Sequence, residues 1–69
     1  MLIKAREIFY DVINERETAL REGNEVYLNT KHIIYVKDKG YGEYLVGTLV
    51  GKWIIENSEF QRWIAKENE

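Results

Sequence analysis

Residues 4–22 repeat their apolar positions with the period of a helix. Placed at about 100° per residue, Ala5, Ile8, Phe9, Val12, Ile13, Ala19 and Leu20 fall on one side. Lys4, Glu7, Asp11, Asn14, Glu15, Glu17, Thr18, Arg21 and Glu22 fall on the other, and Gly23-Asn24 then supplies the left-handed residue that commonly ends a helix. The spacing predicts an amphipathic N-terminal helix. The run Ile8 to Ile13, rich in β-branched and aromatic residues, would also suit a strand, but alternation there does not separate apolar from polar side chains. Arg16 lies within the apolar side and reads as a long stem along the core edge with its guanidinium in water.

From Glu25 the period changes to two. Val26-Tyr27-Leu28 and Ile33-Ile34-Tyr35-Val36 predict one interrupted strand or two short ones, broken at Asn29-Thr30-Lys31-His32. Lys37-Asp38-Lys39-Gly40-Tyr41-Gly42 has the polar and glycine content of a hairpin loop, with a return strand from about Glu43. Tyr44 to Ile55 is apolar all round a helical wheel, and Gly47 and Gly51 decide against a helix, where each would cost about 1 kcal/mol. The stretch therefore reads as a strand from Tyr44 to Leu49, a turn or bulge at Val50-Gly51-Lys52 and a strand from Trp53 to Glu56. Asn57 or Ser58 should cap a last helix, with Ser58-Glu59-Phe60-Gln61 at capping-box spacing, Phe60, Trp63 and Ile64 as its apolar stripe, and a fraying tail from Lys66.

The expected fold class is α+β: an amphipathic N-terminal helix, a three- to four-stranded antiparallel meander and a short C-terminal helix, in one domain spanning residues 1–69. Counting alternate residues straight through, Leu45, Leu49, Trp53 and Ile55 share one face with Gly47 and Gly51, while Tyr44, Val46, Thr48, Val50 and Ile54 share the other. Both faces are apolar, and two helices cover only one. The second face is expected to be exposed, curled over, or pressed against another chain.

Composition sharpens that expectation. A chain of 69 residues without cysteine has neither disulfides nor a thiolate zinc site to support a core that, at this size, rarely supplies more than about 3–5 kcal/mol. Tight packing or self-association remains, most economically as a twofold dimer. Hydrophobic residues at 45% exclude a disordered chain. Lys4, Arg6 and Glu7 interrupt any signal-peptide core, and no apolar run approaches the roughly 18 residues of a membrane span, so a cytoplasmic protein with no membrane partner is expected. The many isoleucines and glutamates beside few alanines suit a microbial or phage source.

The inventory for catalysis is thin. His32 is the single imidazole and Ser58 the single serine; the first reads as a strand-edge residue and the second as a helix cap. No calcium loop or His-Glu-x-x-His pattern occurs, and Gly40-Tyr41-Gly42 lacks the remainder of a phosphate-binding loop. Neither an enzymatic activity nor a cofactor or metal is expected. Charge divides by segment: residues 1–30 and 54–69 are each net acidic, whereas residues 31–53 carry Lys31, Lys37, Lys39 and Lys52 against Asp38 and Glu43. Tyr35, Tyr41, Tyr44 and Trp53 are interleaved with those lysines.

In element order the chain resembles a double-stranded-RNA-binding domain, and it departs from that family at Ser58-Glu59-Phe60-Gln61-Arg62, where the family carries a lysine cluster. Gly23-x-x-Val26-x-Leu28-Asn29 with Ile33 and Val36, then Ile55-Glu56-Asn57-Ser58, is similar in spacing to small flagellar proteins. Neither resemblance carries a function across. The expected role is a small non-catalytic binding or regulatory protein, acting as a homodimer or by docking on another protein, with Tyr35, Tyr41, Tyr44 and Trp53 as partner-binding anchors. The alternative is nucleic-acid binding by the hairpin, with Lys31, Lys37, Lys39 and Lys52 on phosphates. The acidic side of the first helix, with Glu7, Asp11, Glu15 and Glu22, would steer a basic partner.

Overall fold

The computed structural model describes residues 1–13 and 16–68, with side chains described for residues 1–8 and 23–68. Five strands and one helix follow in order: β1 (Leu2–Ile13), β2 (Arg16–Asn29), a 3₁₀ turn (Thr30–His32), β3 (Tyr35–Gly40), β4 (Glu43–Gly47), β5 (Lys52–Glu56) and α1 (Asn57–Glu67). All pairings are antiparallel, and the sheet order is β2-β1-β5-β4-β3. Every sequential pair except β2 and β3 is hydrogen-bonded, and β5 returns beside β1. The sheet is thus not a simple meander: the β1–β2 hairpin joins the β3-β4-β5 run through the β1–β5 pairing, with β2 and β3 at the two edges.

This corrects the expected fold in two respects. The N-terminal amphipathic helix does not form, and its sequence supplies β1 and the start of β2; five strands replace the expected three or four. The pattern misleads for identifiable reasons. Ile3 and Ala5 alternate with Lys4 and Arg6 and are buried against the sheet, a period-two signal that overlaps the start of the helical-looking run. Among the described residues β1 pairs with β5 at Arg6 and Glu7, and from Ile8 onwards its ladder partners lie on β2. The ladder also slips at two places, between Arg6 and Ile8 and between Phe9 and Tyr10, where β2 carries extra residues. Gly23-Asn24 sits at the first slip. A glycine that would end a helix serves equally well in a bulge. Of the acidic residues assigned to the helix, Glu7 and Asp11 lie on β1 and Glu17 and Glu22 on β2, while Glu15, with its neighbour Asn14, lies outside the described residues. The molecule is elongated, 46 × 24 × 20 Å.

The core lies on one face. Ile3, Ala5, Val46 and Ile55 are buried together, flanked by Met1, Val26, Leu28, Ile33, Tyr44, Trp53, Phe60 and Trp63. Cross-strand partners share a face, and Val46 is opposite Trp53 and Tyr44 opposite Ile55. Tyr44 and Val46 therefore belong with Trp53 and Ile55, which corrects the face assignment made by straight alternation. The hairpin loop resets the phase. Leu45 and Ile54 face outwards with Arg6 and Lys37.

Helix α1 covers the core face. Phe60 stacks on Tyr44 with ring centroids 4.0 Å apart, and Trp63 meets Phe60 edge-on at 6.2 Å. Glu56 is the N-cap residue and contributes no side-chain cap; Ser58 lies inside the first turn, so the expected capping box is absent. The Asn57 N–H instead donates to the Gly42 carbonyl at 2.8 Å, and the Asn57 side-chain oxygen accepts from Gln61. A tertiary bond to the hairpin thus holds the helix start. Arg62 ties the helix to β1, donating to the Leu2 carbonyl at 2.9 Å while pairing with Glu59 at 2.7 Å. The tail stays helical through Glu67, and Asn68 closes it on the Ile64 carbonyl.

Candidate interaction surface

The sheet divides the four expected aromatic anchors. Tyr44 and Trp53 lie on the core face, Tyr44 under Phe60 and Trp53 half-buried against the core. Tyr35 lies on the outer face, its ring spread over Gly47 so closely that a Cβ there would meet the ring at 2.1 Å. Tyr41 stands fully exposed at the β3–β4 turn with φ 56°, between Gly40 and Gly42, which are also left-handed. No single face gathers all four.

The lysines divide as well. Lys37 on β3 and Lys52 at the start of β5 are on the outer face, and Tyr35 and Lys52 flank Gly47 from either side. Lys39 sits where the β3–β4 ladder slips and approaches Glu43 at 3.7 Å. Lys31 is in the 3₁₀ turn, away from the hairpin, where its N–H donates to the Asn29 side chain at 3.1 Å.

At the centre of the outer face stands Arg6. It is directly opposite Ile54, donates to Glu43, and lies 3.5 Å from Glu56. Glu43 and Glu56 are themselves cross-strand partners, a like-charge pair that would repel without the guanidinium. As the cross-strand partner of Ile54, the arginine stem is the neighbour positioned to cover it, and Ile54 is 1% exposed. Beside it is a cleft of about 200 Å³ lined by Lys4, Arg6, Glu25, Glu56 and Glu59, whose charges of both signs face one another.

A different surface forms at the end of the sheet where the 3₁₀ turn meets the β4–β5 loop. The Thr48 N–H donates to the Gly51 carbonyl at 2.9 Å, and the Val50 N–H donates to the Thr48 hydroxyl at 3.2 Å. This closed turn holds Leu49 and Val50 out at 92% and 89% exposure. Alongside, the Ile34 N–H donates to the Gly47 carbonyl at 2.8 Å, which fixes Ile34, itself 60% exposed, next to the turn. The result is a groove of about 410 Å³ lined by Ile33, Ile34, Leu49 and Val50, with Thr48, Lys31 and His32. Ligand sites commonly measure roughly 300–1,000 Å³.

Sequence reasoning assigned Leu49 to a strand and Val50 to a turn without seeing that they stand together. The available signal was a threonine three residues before a glycine, a turn frame with two aliphatics at its tip. Among the described residues no group of three or more His, Asp or Glu is placed to hold a metal ion, and no helix is long and apolar enough to cross a membrane. His32 and Ser58 belong to different elements, the 3₁₀ turn and the first turn of α1.

No family model matches the chain, and neither curated proteins nor solved structures show a significant similarity to it.

Proposed function

We propose that this protein is a small non-catalytic binding module that acts by protein–protein contact. The observation that supports this reading is the rigid turn presenting Leu49 and Val50 beside Ile34, aliphatic side chains held in water by a hydrogen-bonded frame. Clustered apolar exposure of this kind marks interaction sites, whereas isolated exposed aliphatics do not. Self-association belongs to the same reading, through the outer sheet face and the β3–β4 hairpin that expose Tyr35 and Tyr41. Of the expected anchors, Tyr35 and Tyr41 are exposed and would extend the contact surface, while Tyr44 and Trp53 support it from the core.

The test compares the full chain with a Leu49→Ser/Val50→Ser variant, after circular dichroism has shown both folded. Wild type is expected to recover a stoichiometric protein partner from an extract of the source cells, and the variant to lose it. Sedimentation across micromolar concentrations reports separately on a second copy. A chain that stays monomeric and recovers the same proteins with and without the two aliphatics overturns the reading.

One observation favours nucleic-acid binding as a second reading: Tyr35, Lys37 and Lys52 share the outer face, with the tyrosine ring close over Gly47. Fluorescence anisotropy with labelled single-stranded and duplex oligonucleotides checks it. Salt-dependent binding that Tyr35→Ala and Lys37→Ala weaken would establish it, and no binding at low salt would sink it.

A further inference from the structure

We infer that the groove between the 3₁₀ turn and the Thr48–Gly51 turn takes an acidic, aliphatic peptide segment of a partner protein. The inference rests on the protein-contact reading above and supplies the chemistry of the partner. Ile33, Ile34, Leu49 and Val50 offer a wall for aliphatic side chains. Charge supplies the rest. The ionisable side chains lining the groove are Lys31 and His32, and neither chain segment that builds it carries a carboxylate: none occurs from Val26 to Lys37 or from Tyr44 to Ile55. All twelve acidic residues of a chain with net charge -2 lie elsewhere. A basic rim on an otherwise acidic protein selects carboxylates and disfavours basic partners.

Other occupants fit less well. A twofold contact through the groove would set Lys31 of one copy near Lys31 of the other, and a stable dimer buries roughly 800 Å² per partner, far more than this small cluster of aliphatics presents. Helix α1 of this same chain balances Glu59 and Glu67 with Arg62 and Lys66 and packs Phe60 and Trp63 on the core. A nucleic-acid strand would want an aromatic platform, and the groove lining has none.

A random peptide library displayed on phage, selected on the immobilised full chain and counter-selected on Leu49→Ser/Val50→Ser, tests the inference. Enriched sequences are expected to combine aliphatic residues with net negative charge. Synthetic copies of them should bind wild type at least about tenfold more tightly than the double variant, a readily measured difference. Lys31→Glu should weaken the same peptides by a similar factor, while Gln61→Ala, at an exposed position of α1 outside the groove lining, should leave them unchanged. Enrichment of basic or uncharged peptides, binding that survives the double variant, or no enrichment at all overturns the inference. Preferential binding of the groove to anionic vesicles of phosphatidylglycerol and phosphatidylcholine, lost in the double variant, overturns it in favour of a lipid surface. The wider protein-contact reading is judged by its own recovery and sedimentation measurements, and stands if these respond to the double variant while acidic peptides fail.

Discussion

Ile54 and Ile55 are neighbours on β5, each 1% exposed, and they point to opposite faces of the sheet. Ile55 is buried in the manner of an ordinary core residue, among Ile3, Ala5 and Val46 and beneath the aromatic layer of Tyr44, Phe60 and Trp63. Ile54 has no such layer. Its cover includes the stem of Arg6, a single long side chain held in place by Glu43 and Glu56. Equal burial can therefore arise from very different physics. The aromatic layer excludes water by packing and is indifferent to salt, whereas the arginine strap depends on ion pairs at a partly exposed surface, which salt screens. The strap also explains how a sheet apolar on both faces buries the centre of its second face within one chain.

The largest effect should come from the packed side. Ile55→Ala removes a buried aliphatic from between the sheet and α1, and such truncations cost about 2–5 kcal/mol. A domain of this length has roughly 3–10 kcal/mol of stability in all, so thermal unfolding should show the variant barely folded at 25 °C. A variant as stable as wild type would break the claim that the aromatic layer closes a true core. Next comes the strap. Arg6→Ala uncovers Ile54 and leaves Glu43 facing Glu56, for an expected loss of about 1–3 kcal/mol by denaturant titration. Arg6→Met keeps an apolar cover without the charge, so it separates the two roles. If Arg6→Met matches wild type at low and high salt alike, the ion pairs add nothing and the contrast reduces to covered area.

The same contrast explains what was legible in the sequence. Strands β4 and β5 and helix α1 follow from local signals, namely the glycines of the β3–β4 turn, apolar residues at period two and the Phe60–Trp63 stripe, whereas the expected strand Ile33–Val36 and loop Lys37–Gly42 give way to a β3 that runs from Tyr35 to Gly40. What could not be read was how the pieces register. Straight alternation from Leu45 puts it with Trp53 and Ile55, but the Thr48–Gly51 turn makes β5 antiparallel to β4 and pairs Val46 with Trp53. Register is a property of the turn, and a shift of one residue in the pairing reassigns every face. In the N-terminal half the failure is deeper. Ile8 to Ile13 lies on the part of β1 whose ladder partners are on β2, and a helical wheel organises its apolar residues better than strand alternation does. The groove is not legible locally because its aliphatics come from two segments that the β3–β4 pairing and the Ile34–Gly47 backbone bond bring together.

A smaller effect is expected where the outer face is closed by a ring instead of a strap. In Gly47→Ala the new methyl would occupy the place of the Tyr35 ring, which approaches within 2.1 Å of an ideal Cβ. Overpacking a tight interior costs about 1–3 kcal/mol, but Tyr35 is open to water on its far side and can swing outward, so a loss of about 1 kcal/mol is expected. Tyrosine fluorescence and the midpoint of denaturant unfolding measure it. A loss as large as that of Ile55→Ala would show that the outer face is packed as rigidly as the core face, and would dissolve the distinction between them.

The smallest effect lies at the turn that belongs to neither face. Tyr41 holds a left-handed φ of 56° between Gly40 and Gly42, with its side chain wholly in water. An L-residue in that region costs roughly 1–2 kcal/mol, and glycine removes this strain while giving the unfolded chain roughly 0.5–1 kcal/mol more entropy. The two nearly cancel, so Tyr41→Gly should stabilise the fold by no more than about 1 kcal/mol, seen as a small rise in melting temperature. Trp53 and Trp63, both on the core face, provide the sharper measurement: their fluorescence should not change, because nothing that packs against them involves Tyr41. A shifted tryptophan spectrum would mean that the turn transmits strain into the sheet. The two covers would then be coupled through the β3–β4 hairpin, not independent solutions to the burial of one strand.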